Sequence, residues 1–208
     1  MPKPLRVALS AALIFAAALV PVPAHAGPLE DGVKAFDAEK YADALTLLTP
    51  LAEGGDATAA YLLGEMYGPR SWGQKGENRF GVEQDNARAI QWWTKAAEAG
   101  NAKAQLKLGW YLMHGKDVVA VNEAEGLSWL VKSAGQGEPQ AQFEAGLALW
   151  QGKGAAADPV EARKWFLLVA SQDGFEKAKG YLDDMAKTMT PEQIAAAEAA
   201  AKAFAPKP

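Results

Sequence analysis

Few side chains in this sequence could carry out catalysis or bind a metal. The chain has two histidines, His25 and His114, and no cysteine, which excludes thiol nucleophiles and thiolate metal sites. A serine triad would need His114 and a Gly-x-Ser-x-Gly nucleophile elbow, and the sequence has no such elbow. A metal site would need carboxylates at ligand spacing around His114, and these are missing too. We therefore expect no catalytic residue, no metal site and no cofactor.

Two further motifs could suggest chemistry but have simpler interpretations. Gly152-Lys153-Gly154 lacks the G-x4-G-K-[ST] pattern and the preceding strand of a phosphate-binding loop, so it indicates a turn. Asp183 and Asp184 are neighbours and lie on different sides of a predicted helix, as solvated surface residues do.

The first 26 residues have the layout of a secretory signal peptide. Lys3 and Arg6 precede an apolar run at 7–20, and Ala24-His25-Ala26 supplies a small-residue cleavage motif. The alternative, an uncleaved anchor, is disfavoured because this run is shorter than the roughly 20 residues of a membrane span. We expect cleavage near Ala26 and a bacterial protein that is periplasmic or secreted.

The composition of the remaining chain excludes some partners. Cleavage leaves about 182 of the 208 residues, enough for one domain with a sizeable core. Loss of Lys3 and Arg6 takes the formal net charge from −4 to about −6. A mildly acidic chain without a basic run is a poor candidate for binding nucleic acid, and no other apolar stretch is long enough to span a membrane.

A segment of about 36 to 37 residues recurs three times, at 59–100, 104–137 and 141–174. Apolar residues at helical spacing predict two helices per segment, with Asp85, Asn122 and Asp158 as N-caps of the second helices. Each first helix carries a glycine that predicts close contact with the second helix. We expect these glycines to meet the tryptophans at equivalent positions, as follows: Gly64 with Trp92, Gly109 with Trp129, and Gly146 with Trp165.

The repeated pattern A-x3-L-G-x2-Y, followed by a loop and D-x3-A-x2-W-x2-K-A-A-x2-G, resembles the Sel1-like repeat family, relatives of tetratricopeptide repeats. The first unit matches best, through Ala59, Leu63, Gly64, Tyr67, Asp85, Ala89, Trp92, Lys95, Ala96, Ala97 and Gly100. Leu112 and Leu149 depart from the tyrosine position, and Ser133 replaces an alanine. The resemblance implies an all-α solenoid of antiparallel helix pairs with a right-handed superhelix, acting as an adaptor or scaffold.

The sequence divides the solenoid into units with atypical ends, giving ten helices in all. The predicted segments are a signal peptide at 1–26, a solenoid at 27–189, and a C-terminal capping helix and tail at 190–208. Within the solenoid we expect a lead-in helix pair at 28–58, full repeats at 59–103, 104–140 and 141–177, and a partial repeat at 178–189.

A second apolar stripe on the first helices is the main candidate for binding a partner. It lies opposite the face that pairs each first helix with its second helix, where tetratricopeptide repeats form a concave groove. The residues that would line this groove are Tyr61, Glu65, Lys103, Leu106, Trp110, Met113, His114, Gln140, Phe143, Leu147 and Trp150. The alternative is that the stripe only packs neighbouring units together.

A long loop at 68–84 is the other candidate, because it carries Arg70, Trp72, Arg79 and Phe80 on an insertion of the first unit. Aromatic residues packing within the loop would be the simpler explanation. Taken together, the patterns predict an exported, non-enzymatic interaction module that binds a peptide or protein partner in an aromatic-lined groove. The alternatives are a cell-envelope hydrolase or cell-wall-modifying enzyme with carboxylate-based catalysis around His114, and a structural stabiliser of a larger assembly.

Overall fold

The computed structural model describes residues 27–69, 82–115 and 120–207. The predicted signal peptide and the loop residues Arg70, Trp72, Arg79 and Phe80 lie outside these ranges. None of the helices in the described ranges is long and apolar enough to cross a membrane.

The described residues form ten α-helices and no strand, as the repeat predicts. The helices are α1 Pro28–Asp37, α2 Tyr41–Glu53, α3 Ala57–Tyr67, α4 Asn86–Glu98, α5 Ala102–His114, α6 Glu123–Gly135, α7 Pro139–Gln151, α8 Pro159–Val169, α9 Glu176–Ala186 and α10 Pro191–Lys202. Helices α3, α5 and α7 are the first helices of the three units, and α4, α6 and α8 are the second helices.

Local capping chemistry determines where most of the helices in these units begin. The predicted caps Asp85, Asn122 and Asp158 are confirmed, since each side chain accepts a hydrogen bond from the backbone N–H three residues later. Asp56 and Asn101 cap α3 and α5 in the same way. Such caps satisfy backbone donors that the first turn of a helix leaves unpaired.

From α1 to α9 the helices pack in chain order, so that each one contacts its neighbours in sequence. This produces two apolar clusters, one from α1 to α5 and one from α5 to α10. The last helix departs from the order because α10 packs against α8. Burial of small alanines such as Ala59, Ala104 and Ala141 lets the helix backbones approach closely.

The predicted glycine contacts within the units are wrong by one residue. Gly109 faces Leu130, whose Cγ lies 2.9 Å from the position that a Cβ at Gly109 would take, and it does not face Trp129. In the other two units the glycines meet the residues after the predicted tryptophans, so that Gly64 faces Trp93 and Gly146 faces Phe166. Successive residues of a helix are about 100° apart, so this shift moves Trp92 and Trp129 to the flank of each helix.

Candidate partner-binding surface

The first helices place the predicted groove residues in two different environments. Leu106 is only 6% exposed and belongs to the apolar cluster that α5 shares with later helices. Phe143 contacts Phe166 at 5.6 Å and Tyr181 at 6.1 Å between ring centroids. At these two positions the stripe packs neighbouring helices together, as buried apolar side chains generally do.

Between α3 and α5 the stripe becomes polar. Lys107 Nζ of α5 lies 3.1 Å from Glu65 Oε1 of α3, and both side chains are mostly buried. The same ammonium lies 5.3 Å from the centroid of the Trp93 ring, within range of a cation–π contact. Burial, and to a smaller extent the neighbouring Glu65 carboxylate, raise the pKa of Tyr61 well above its usual value, so its hydroxyl stays neutral.

Between α5 and α7 the surface forms a small cleft. Trp110 and His114 stack with ring centroids 4.5 Å apart, and His114 Nδ1 lies 2.8 Å from the Trp110 carbonyl oxygen. Across the cleft Glu144 accepts a 2.9 Å hydrogen bond from Gln140 Nε2. The cleft holds about 50 Å³ and its lining residues are Met113, His114, Leu130, Glu144, Leu147, Ala148, Gln151 and Lys153.

The ionisation of Glu144 follows from its position in this cleft. Burial raises the pKa of the Glu144 carboxyl, while the Gln140 hydrogen bond and the nearby His114 act in the opposite direction. A carboxyl group held in this way can accept hydrogen bonds from a ligand or hold a proton. Within the described ranges no group of three or more histidine, aspartate and glutamate side chains could hold a metal ion.

The other predicted groove residues lie around the contact between α3 and α5 and the cleft between α5 and α7. Lys103 is exposed on α5. Met113 packs towards α6, with its Cγ 2.8 Å from the position of a Cβ at Gly126. Trp150 is half-buried beside the second apolar cluster, whereas Leu147 lines the cleft.

Sequence analysis missed Lys107 and Glu144, although both lie at the centre of this surface. Each directly follows a predicted stripe residue, Leu106 or Phe143, at the same position of its unit. The sequence signal that could have identified them is the charged residue that follows the apolar stripe at the same position in both units. The pairing of Lys107 with Glu65 could not be identified from spacing alone, because the two residues come from different units.

These helix pairs define a class of protein, the helical-repeat solenoids, in which each unit contacts mainly its neighbours. Comparison with known families places the chain within that class. The Sel1 repeat matches residues 57–101, 102–138 and 139–174, which together make up more than half of the sequence. The chain therefore belongs to the Sel1 repeat family.

Solved structures with similar folds include two from bacteria. A protective antigen present in uropathogenic Escherichia coli strains and displaying an SLR fold has a TM-score of 0.63 and 31% identity, covering 78% of this chain and 32% of that one. A Sel1 repeat protein from Oxalobacter formigenes has a TM-score of 0.65 and 28% identity, covering 77% of this chain and 61% of that one.

A curated relative is found in yeast. Chitin synthase regulatory factor 3 of Schizosaccharomyces pombe is 39% identical over 133 residues, which are 64% of this chain and 13% of that protein. The chain thus spans a small part of this relative's length. Sel1 repeats are commonly protein–protein interaction modules, and their fold is typically a non-enzymatic scaffold.

Proposed function

We propose that this chain is an exported, non-enzymatic adaptor that binds a peptide or protein partner along the first helices α3, α5 and α7. The observation that carries the proposal is the continuous row of half-buried side chains across these helices. It runs from Tyr61 and Glu65 through Lys107 to the cleft beside Trp110 and Glu144.

Three properties of this row favour binding of a protein segment. Its polar groups are already oriented by contacts within the protein, which lowers the entropy that binding would cost. The Trp110–His114 stack offers a flat aromatic surface, and tryptophan is enriched among residues that dominate interface energies. Glu144 and the exposed Lys103 add sites for hydrogen bonds at the edge of that surface.

The test is capture of partners by the purified protein and by variants of its surface. We expect Trp110→Ala and Lys103→Glu to reduce capture of the same protein bands, while Lys177→Glu, an exposed change on α9, leaves capture unchanged. Circular dichroism melts check that folding is retained. Equal capture by all variants would refute binding at this surface.

Export and domain organisation are part of the proposal. We place a signal peptide at 1–26, the solenoid at 27–189 and the capping helix and tail at 190–208. Fractionation of the bacterial source followed by N-terminal sequencing checks this directly. A first residue at Gly27 in the periplasmic or secreted fraction supports export, and a chain retained in the cytoplasm contradicts it.

A second candidate, a cell-envelope hydrolase, is favoured by one observation. A carboxyl group with a raised pKa faces a histidine across a cleft, and such pairs occur at catalytic sites. If the protein hydrolyses cell-wall material, both His114→Ala and Glu144→Gln should abolish release of soluble fragments from purified sacculi. Absence of release by the parent protein would eliminate this candidate.

A further inference from the structure

The C-terminal tail occupies one junction between units on the side of the second helices. After α10, the Phe204 ring contacts the Trp165 ring of α8 edge-on, with centroids 5.5 Å apart. Pro206 then covers Gly137, its Cγ 3.1 Å from the position that a Cβ there would take. The Lys207 backbone N–H donates a 3.0 Å hydrogen bond to the Gly135 carbonyl oxygen.

The same junction exists one unit earlier, and there it is open. Gly100 occupies the place of Gly137 at the end of a unit, and their φ angles of 93° and 92° show the same left-handed turn. Trp129 of α6 occupies the place of Trp165 of α8. Between this turn and α6 lies a cleft of about 330 Å³, lined by Gly100, Gln105, Val131, Lys132, Gly135, Gln136 and Lys207.

One wall of this cleft is held by hydrogen bonds, and part of its lining is apolar. Gln136 Nε2 donates hydrogen bonds of 2.9 Å to the Gly100 carbonyl and to Gln105 Oε1, which fixes one wall. Val131 is 37% exposed, a rare exposure for a large apolar side chain in the described part of the chain.

The charge of the cleft comes from lysines. At both junctions a lysine lies over the tryptophan, since Lys132 Nζ is 3.9 Å from the centroid of the Trp129 ring and Lys164 Nζ is 3.7 Å from that of the Trp165 ring. Lys132 and Lys207 are the charged residues of the lining. Glu98 is exposed at the end of α4 and lies outside the lining.

We propose that this cleft is a second docking site, which binds an extended segment of a partner protein carrying an aromatic residue, a proline two positions later, and then acidic residues. The aromatic ring takes the place of Phe204 at Trp129, and the proline covers Gly100, where the missing Cβ leaves room. The acidic residues pair with Lys132 and Lys207 at the rim. This site lies on the second helices and therefore goes beyond the surface proposed above.

The test uses the full mature chain and a fluorescein-labelled peptide, AKAFAPEE, which copies the tail but ends in two glutamates. Fluorescence anisotropy should show saturable binding. Val131→Asp places a charge against the apolar part of the peptide and should weaken binding about tenfold or more. Lys132→Glu should weaken it about fivefold, as expected for an exposed charge pair, and the effect should shrink at high salt.

A matched control comes from the preceding unit. Lys95 lies over the Trp92 ring at 4.4 Å just as Lys132 lies over Trp129, but it is outside the cleft. Lys95→Glu should therefore leave the affinity unchanged. Trp110→Ala, on the surface formed by the first helices α3, α5 and α7 (the first-helix surface), should also leave it unchanged. The latter result separates this site from the proposed function, since either can fail without the other.

Several outcomes would overturn the proposal. One is an affinity for AKAFAPEE that is the same in Val131→Asp as in the parent. Another is tighter binding of the basic peptide AKAFAPKK, or self-association of the chain through its own tail, because both would contradict an acidic partner. Urea unfolding of Val131→Asp and Lys132→Glu confirms that both variants remain folded, which is expected because both side chains are exposed.

Discussion

The side chain of Gln136 donates a 2.9 Å hydrogen bond to the side-chain oxygen of Gln105, joining the end of α6 to the start of α5. Gln105 is buried, and its own amide donates a 3.0 Å hydrogen bond to the Ala97 carbonyl oxygen at the end of α4. The next unit repeats the second contact, since buried Gln142 donates to the Ala134 carbonyl oxygen at 3.2 Å. Each glutamine thus supplies a second donor to a helix-end carbonyl that also accepts a hydrogen bond from the backbone N–H three residues later.

The first prediction concerns this buried amide. Gln105→Leu keeps a side chain of similar size but removes the hydrogen bonds to the Ala97 carbonyl and from Gln136. Because each is worth about 0.5 to 1.5 kcal/mol, we expect a loss of about 1 to 3 kcal/mol in the free energy of unfolding. Urea denaturation followed by circular dichroism measures the loss. Gln91→Leu, at an exposed position on α4, should change stability by less than about 0.5 kcal/mol. Equal effects in the two variants would contradict the structural role of Gln105.

The second prediction concerns the contact between the two helices of a unit. A methyl group at Gly64 would overlap the indole of Trp93, whose Cγ lies 3.0 Å from the Cβ position. Trp93 is fully buried, so Gly64→Ala would force a packed indole to shift and should destabilise by about 1 to 3 kcal/mol.

The matched control is Gly180→Ala on α9, where nothing lies within 4 Å of the added methyl group. Here alanine should stabilise by up to about 1 kcal/mol, because it favours the helix. Opposite signs for the same substitution distinguish close packing from helix propensity, and thermal melts of both variants provide the measurement.

The starts of several helices could be predicted from the sequence, but the contacts between helices could not. Helix starts at Asp85, Asn122 and Asp158 could be predicted because a cap acts on backbone groups three residues away. The choice between Trp92 and Trp93 could not, because either side chain fits the repeat and only the rotation of α4 about its axis decides between them. Side-chain pairs between different units, such as Glu65 with Lys107, are harder still to predict. The position of α5 relative to α3 depends on all the packing between these helices.

The third prediction concerns pH. The raised pKa of Glu144 means that the folded protein binds this proton more tightly than the unfolded chain does. The free energy of unfolding therefore falls as pH rises from the ordinary glutamate pKa of about 4.3 through the raised value. Glu144→Gln removes this titration, so its stability relative to the parent should increase between about pH 4 and pH 7. Urea midpoints at several pH values measure the trend.

The opposite trend is expected at Glu176. Backbone hydrogen bonds, including one from the Gly174 N–H at 3.1 Å, lower the pKa of this exposed carboxyl. Its contribution is present above the ordinary pKa and is lost as pH falls, so Glu176→Gln should lose stability relative to the parent at neutral pH. Identical pH trends in the two variants would contradict the assignment for Glu144.

The last prediction compares two ion pairs with different burial. Glu65 and Lys107 join α3 to α5 with side chains 25% and 17% exposed, whereas Glu30 and Lys34 lie within α1 at 60% and 62%. A double-mutant cycle with Glu65→Gln and Lys107→Met should give a coupling energy of about 1 kcal/mol or more, since partial burial limits screening by solvent. The cycle with Glu30→Gln and Lys34→Met should give a weaker coupling that vanishes in high salt, because both side chains are exposed to solvent. Because only the first pair crosses between units, a coupling as weak as that of the exposed pair would mean that Glu65 and Lys107 do not hold the first-helix surface in place.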